Sequence, residues 1–119
     1  MQRIRATKFN FDNDPLPKMS VYVLTDPRSM KVCYVGLSNN VKARLTSHRG
    51  GWTNKPISKC SLELRAIGQE LQASIVEEIF GKTRTECEVR EAYWITHFRA
   101  LNPDIFNRKP SRKRAQISQ

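Results

Sequence analysis

Two short runs of β-branched and aromatic residues open the ordered pattern of the chain. Residues 20–24 (Ser-Val-Tyr-Val-Leu) and 31–36 (Lys-Val-Cys-Tyr-Val-Gly) predict strands. Asp26-Pro27-Arg28-Ser29 between them has turn chemistry, so the pair predicts a hairpin. Asn39 and Asn40 then offer N-caps for a helix with Val41 and Leu45 four apart on its buried face, and Gly50-Gly51 stops it. Residues 52–60 read as a basic loop, and 61–67 as a short helix ended by Gly68. Residues 73–79 predict a third strand and Phe80-Gly81-Lys82 a turn. Thr83-Arg84-Thr85-Glu86 is a capping box, in which hydroxyl and carboxylate each satisfy a free N–H of the first turn. The helix behind it is expected to run to about Arg99, with Asn102-Pro103 ending it.

The flanks differ from this core. Residues 1–19, with Asp14-Pro15-Leu16-Pro17, read as an irregular arm, and 108–119 as a disordered basic tail, leaving one domain over 20–107. A length of 119 residues suits one domain with a modest core. No apolar run approaches the roughly 20 residues that span a membrane, and residues 1–5 lack a signal peptide's apolar stretch. The expected location is the cytoplasm. Cys33, Cys60 and Cys87 lie far apart, without Cys-x-x-Cys spacing, and are expected to be reduced core or bystander thiols.

Charge adds a partner. Lys and Arg number 21 against 11 Asp and Glu, a formal net charge of +10, which for a small domain points to a polyanion. The excess is clustered. No acidic residue occurs from Pro27 to Leu62, a stretch that holds Arg28, Lys31, Lys42, Arg44, Arg49, Lys55 and Lys59. Phosphate contacts and counterion release reward such clusters, so nucleic acid is the first candidate partner.

The last helix carries a residue that its own face does not explain. At about 100° per residue, Cys87, Trp94, Ile95 and Phe98 share one arc, and Glu91 falls inside it, with Glu88 at its edge. A carboxylate aimed at a core needs a partner, either a basic side chain or a metal ion. On the first helix, Arg44 and His48 are four apart and so share a face close to Val41 and Leu45. Taken alone, His48 fits a satisfied core histidine and Arg44 a surface charge.

Together these residues resemble the GIY-YIG nuclease superfamily over residues 20 to 107. Ser20-Val21-Tyr22 stands where the first triplet belongs, with Ser20 in place of its glycine, and Tyr34-Val35-Gly36 where the second belongs. Arg44 and His48 follow as in the family's first helix, Glu91-Ala92-Tyr93-Trp94-Ile95 resembles its "E…WI" helix, and residues 101–107 resemble its closing asparagine segment. The resemblance implies an α/β (α+β) fold, a small three-stranded sheet flanked by helices. It also implies hydrolysis of phosphodiester bonds with one divalent cation per site, Mg²⁺ or Mn²⁺. By position, Glu91 would be the sole protein ligand of the ion and Arg44 the clamp on the scissile phosphate. Tyr22 would accept the proton of the attacking water, Tyr34 would hold that water or the phosphate, and His48 would relay the proton from Tyr22. Asn107, rather than Asn102, would orient its neighbours by hydrogen bonding.

The DNA-facing surface is then expected around the site, from Lys42, Arg49, Lys55 and Lys59. Trp52 would either stack on a base or close the edge of the core. One site cuts one strand, so a double-strand break would take a homodimer on DNA or two successive events. The runner-up reading is a catalytically silent nucleic-acid-binding module on the same fold. The complete set Tyr22, Tyr34, Arg44, His48 and Glu91 argues against it.

Overall fold

The computed structural model describes residues 15–51 and 53–108, so Trp52, the first 14 residues and most of the basic tail lie outside it. Three strands, β1 (Leu16–Asp26), β2 (Lys31–Ser38) and β3 (Gln72–Lys82), and three helices, α1 (Val41–Arg49), α2 (Lys55–Ala66) and α3 (Arg84–Leu101), follow in the order β1-β2-α1-α2-β3-α3. The sheet is antiparallel throughout, with β1 in the centre and β2 and β3 at the edges. This is the expected α+β architecture.

The sheet is covered on both faces because both faces of β1 are apolar. Tyr22 and Leu24 point to one side, where they pack with Ile57, Cys60 and Leu64 of α2, Leu71, and Val41 and Leu45 of α1. Val21 and Val23 point to the other, against Val35, Ile79 and the α3 residues Cys87, Trp94, Ile95 and Phe98. All three cysteines are buried and free, as expected from their spacing. Among the described residues no helix is long and apolar enough to cross a membrane.

Several boundaries differ from those the sequence predicts, each for a local reason. The segment 52–60 is not all loop. α2 starts at Lys55 because the Asn54 side chain accepts a hydrogen bond from Ile57 N at 2.8 Å and Pro56 suits a first turn, whose N–H groups have no helical partner. Ile57, Cys60, Ser61 and Leu64 then form its buried stripe. Part of the expected arm is strand: Leu16 and Lys18 pair with Lys82 and Phe80. That pairing also makes residues 80–82 strand rather than turn. Pro17 is tolerated there because β1 at that point has run past β2, whose pairing begins at Ser20, and so has one neighbour only. The α3 capping box is as expected, with Glu86 N bonded to Thr83 Oγ1 and Thr83 N to Glu86 Oε1.

The closing segment secures the free edge of β2. Asn102, the C-cap of α3, donates from Nδ2 to Val32 O at 3.0 Å, Phe106 N donates to Cys33 O at 2.7 Å, and Asn107 bonds both backbone groups of Val35. An exposed strand edge would otherwise offer unpaired N–H and C=O groups to other chains.

Candidate active site

β1 and β2 place two tyrosines on one face of the sheet. In their register Tyr22 lies opposite Gly36 and Leu24 opposite Tyr34, so the two phenols are diagonal neighbours with ring centroids 6.3 Å apart. Gly36 is what makes room. A Cβ added there would lie 2.7 Å from Tyr22 Cε1 and closer still to Cζ and the hydroxyl oxygen. The Tyr22 ring therefore lies directly over the Gly36 backbone, where only glycine fits. Ser20, standing in place of the first triplet's glycine, is buried in extended backbone and has no positive φ. The freedom of a glycine is not used at that position.

α1 delivers His48 to these phenols. Its imidazole is fully buried, and Nε2 lies 2.7 Å from the Tyr22 hydroxyl. The Tyr34 ring meets the same imidazole edge-on at 5.2 Å between centroids. The second ring nitrogen, Nδ1, lies 2.8 Å from Thr53 Oγ1. The result is a continuous chain from Tyr22 through His48 to Thr53.

The charges around this chain set its protonation. Burial, and then the neighbouring Tyr34, push the Tyr22 phenol well above its ordinary value, with Arg44 pulling the other way. Tyr34 is raised by burial and by Glu91, again opposed by Arg44. His48 is pushed down to about 4, chiefly by burial and further by Arg44. At neutral pH the phenols are thus protonated and the imidazole is neutral. Arg44 stands one turn before His48 on the exposed side of α1, and its charge acts on both hydroxyls.

Glu91 is half-buried on α3. Burial raises its pKa, Glu88 raises it further, and Arg84 only partly compensates. Glu88 is itself paired with Arg84 at 3.0 Å and half exposed. Among the described residues no group of three His, Cys, Asp or Glu side chains could hold a metal ion, and Glu91 is the carboxylate whose charge acts on both phenols. A single carboxylate suits a hard divalent cation that completes its shell with water and phosphate oxygens. It does not suit zinc, which takes several nitrogen or sulfur ligands.

Asn107 acts on the backbone of the second triplet: Val35 N donates to its Oδ1 at 2.9 Å, and its Nδ2 donates to Val35 O at 2.7 Å. With Tyr34, Thr53, Asn54, Lys55 and Arg108 it lines a cleft of about 730 Å³. Of the cations expected to face DNA, Lys55 is therefore beside the site. Lys42 is exposed on α1, and Lys59 lies one turn beyond Lys55 on α2. Arg49 is committed to the fold, its guanidinium donating twice to Leu71 O at 3.0 and 2.7 Å. Sequence reasoning missed Thr53, because the segment that holds it reads as loop, and missed the steric reason for Gly36.

No curated protein matches the chain. The solved catalytic domain of the homing endonuclease I-TevI superposes with a TM-score of 0.58 at 21% identity, covering 77% of this chain and 99% of that one. At that identity the likeness is one of fold. The GIY-YIG catalytic domain model matches residues 18–104, a span that holds both tyrosines, Arg44, His48 and Glu91. The chain belongs to the GIY-YIG nuclease family.

Proposed function

We propose that the protein is a metal-dependent DNA endonuclease that hydrolyses phosphodiester bonds at this site. The observation that carries the reading is the buried Tyr22–His48 hydrogen bond at 2.7 Å, flanked by Tyr34, Arg44 and Glu91. An idle core would not invest a fully buried histidine in a phenol that also faces a cation and a desolvated carboxylate.

Each residue then has a task set by its surroundings. Arg44 binds the scissile phosphate and stabilises charge developing on its oxygens. Tyr22 Oη takes a proton from the attacking water as its own proton moves to His48 Nε2. In the free protein this transfer is uphill, since burial disfavours both the phenolate and the imidazolium. Substrate changes that balance. Arg44 is one cause of the low His48 pKa, and pairing Arg44 with a phosphate anion cancels its field at the imidazole. Tyr34 holds the water or a phosphate oxygen, and Asn107 keeps β2 in register beneath it. Glu91 would hold Mg²⁺ or Mn²⁺, and the bound ion supplies positive charge that favours deprotonation and stabilises the departing oxygen.

Lys55 and Lys59, four apart on α2, with Lys42 on α1, supply phosphate contacts outside the site. The chain offers one site and so nicks one strand per event, a double-strand break requiring a homodimer on DNA or two events. The expected compartment is the cytoplasm.

Supercoiled plasmid incubated with Mg²⁺ or Mn²⁺, beside Glu91→Gln and an EDTA control, tests the reading. Nicking or linearisation by the unaltered protein alone supports it. DNA retarded on a gel at low salt but never cut, whether duplex, branched or single-stranded, replaces the nuclease with a silent binding module.

A further inference from the structure

We propose that Thr53 is a positioning residue: its hydroxyl accepts the Nδ1–H of His48 and locks the imidazole in the tautomer whose Nε2 lone pair faces Tyr22. The catalytic consequence rests on the nuclease reading above, whereas the tautomer itself does not.

The argument starts from donors and acceptors. A neutral imidazole has one N–H and one lone pair, and which nitrogen has which is set by its partners. Nε2 meets the Tyr22 hydroxyl at 2.7 Å and Nδ1 meets Thr53 Oγ1 at 2.8 Å, both full-strength hydrogen-bond distances. Each hydroxyl can donate or accept, so the pair of contacts alone allows two arrangements. The surroundings of Tyr22 decide. Arg44 is the cation that acts on that hydroxyl, and a guanidinium offers donors but no acceptor. The Tyr22 oxygen is therefore favoured toward Arg44 and its O–H toward Nε2. Nδ1 then carries the hydrogen, and Thr53 Oγ1 accepts it.

Thr53 can serve as this stop because its own position is fixed from both sides. It lies in the short link between α1 and α2. Before it, Gly51 adopts φ +81°, donates to His48 O at 3.2 Å and accepts from Ser58 Oγ at 3.0 Å. After it, Asn54 caps α2. The link therefore ties the turn that carries His48 to the helix that follows, and puts the Thr53 hydroxyl at the imidazole.

Direction of proton movement depends on this tautomer. With Nδ1–H, the Nε2 lone pair is ready for the Tyr22 proton, and Tyr22 can take one from water. With Nε2–H, the imidazole would donate to Tyr22 and could accept nothing from it. Loss of the Thr53 acceptor removes the bias by about one hydrogen bond, roughly ten-fold in the population of the competent form.

The experiment uses the full chain, ¹⁵N-labelled, with Thr53→Val, Thr53→Ala and Thr53→Ser. Two-bond ¹H–¹⁵N correlations report which imidazole nitrogen is protonated, and His97→Gln identifies the His48 signals. The expected result is Nδ1–H in the unaltered protein and in Thr53→Ser, with Nε2–H appearing in whichever of the Val and Ala variants folds. Plasmid cleavage is expected to lose about ten-fold in kcat, with KM little changed, in the same variants, and Thr53→Ser to recover it. A thermal melt of each variant separates this from misfolding. An Nε2–H tautomer in the unaltered protein, or an unchanged tautomer and kcat without the hydroxyl, overturns the proposal. A protein that cuts no DNA yet shows the Thr53-dependent tautomer refutes the nuclease reading and leaves the positioning role standing.

Discussion

Gly36→Ala tests the geometry of the site with the smallest possible change. The added methyl would lie 2.7 Å from Tyr22 Cε1, and nearer to Cζ and the hydroxyl oxygen. Carbon atoms in contact prefer roughly 3.5–4.0 Å, so the ring must retreat by about 1 Å. Tyr22 has little room for that. It is 1% exposed, packed among Leu24, Ile57 and Leu64, and tied to His48 at 2.7 Å. Forcing a methyl into a packed core costs about 1–3 kcal/mol, and stretching the Tyr22–His48 bond beyond reach costs about 1 kcal/mol more. A loss of about 2–4 kcal/mol leaves a typical domain folded but lowers its Tm by about 10–20 °C. A reacting group misplaced by about 1 Å loses on the order of a hundred-fold in rate.

Gly36→Ala should therefore be folded below its lowered Tm, bind DNA about as well as the unaltered protein, and cleave it about a hundred-fold more slowly. Urea denaturation, gel retardation and single-turnover nicking, all at a temperature where the variant is folded, read the three quantities separately. If the variant keeps both its stability and its cleavage rate, Tyr22 does not lie over Gly36 and the assignment of its hydroxyl to the reacting position fails with it.

Three further predictions concern charge and backbone. The neutral His48 is held down to about 4 in the fold, against about 6.5 in an unfolded chain. As pH falls the unfolded state takes the proton first, so up to about 3 kcal/mol of stability, present above pH 6.5, drains away between about pH 6.5 and 4. Urea midpoints across that window should fall more steeply for the unaltered protein than for His48→Gln, and parallel slopes would contradict the burial argument. Glu91→Gln in EDTA should melt at a higher temperature at pH 7, because burial and Glu88 disfavour the charged carboxylate. The gain should shrink as pH falls and Glu91 itself takes a proton, while a lower Tm would mean that Arg84 holds Glu91 as a structural ion pair. Met30, 69% exposed in the hairpin turn with φ +61°, pays the left-handed penalty of a side chain. Met30→Gly should stabilise by about 0.5–1 kcal/mol in denaturant titrations with cleavage unaltered, and a loss of stability would show that the Met30 side chain holds the turn.

What could be read in the sequence was what depends on near neighbours. The capping box at Thr83 and Glu86, the Asn40 cap, and Glu91 within the apolar arc of α3 are all set by spacings of three or four residues, and the structure places each as expected. What was not legible depends on a partner distant in the chain. Phe80-Gly81-Lys82 has the composition of a turn and becomes strand because residues 16–18 lie beside it. Asn54-Lys55-Pro56 has the composition of a loop, and its helix is held by the burial of Ile57 under the sheet. Arg49 carries the same charge as its basic neighbours, but its guanidinium ends on the Leu71 carbonyl beyond α2. Nothing in the local pattern separates an arginine that closes a fold from one that meets phosphate. The family pattern names five chemical residues, and Thr53, which lies outside that pattern, extends the Tyr22–His48 hydrogen bond.

The topology also explains why the second triplet has to lie on an edge. Tyr22 and Tyr34 face the layer of α1 and α2, whereas Glu91 belongs to α3 on the opposite layer, yet its charge acts on both phenols. On the nuclease reading, a further strand beyond β2 would extend the sheet as a wall between carboxylate and tyrosines and close the approach of a substrate. β2 must therefore remain an edge, and an edge needs protection. The closing segment provides it with side-chain and single backbone bonds at Val32, Cys33 and Val35 rather than with a strand. Among the described residues that cover stops at Val35. Beyond it, Leu37 and Ser38 line a recess of about 280 Å³ with Lys18, Asn39 and Arg44. The rim next to Gly36 is thus left to Arg44, and Asn107 marks the last described point at which the closing segment covers the edge.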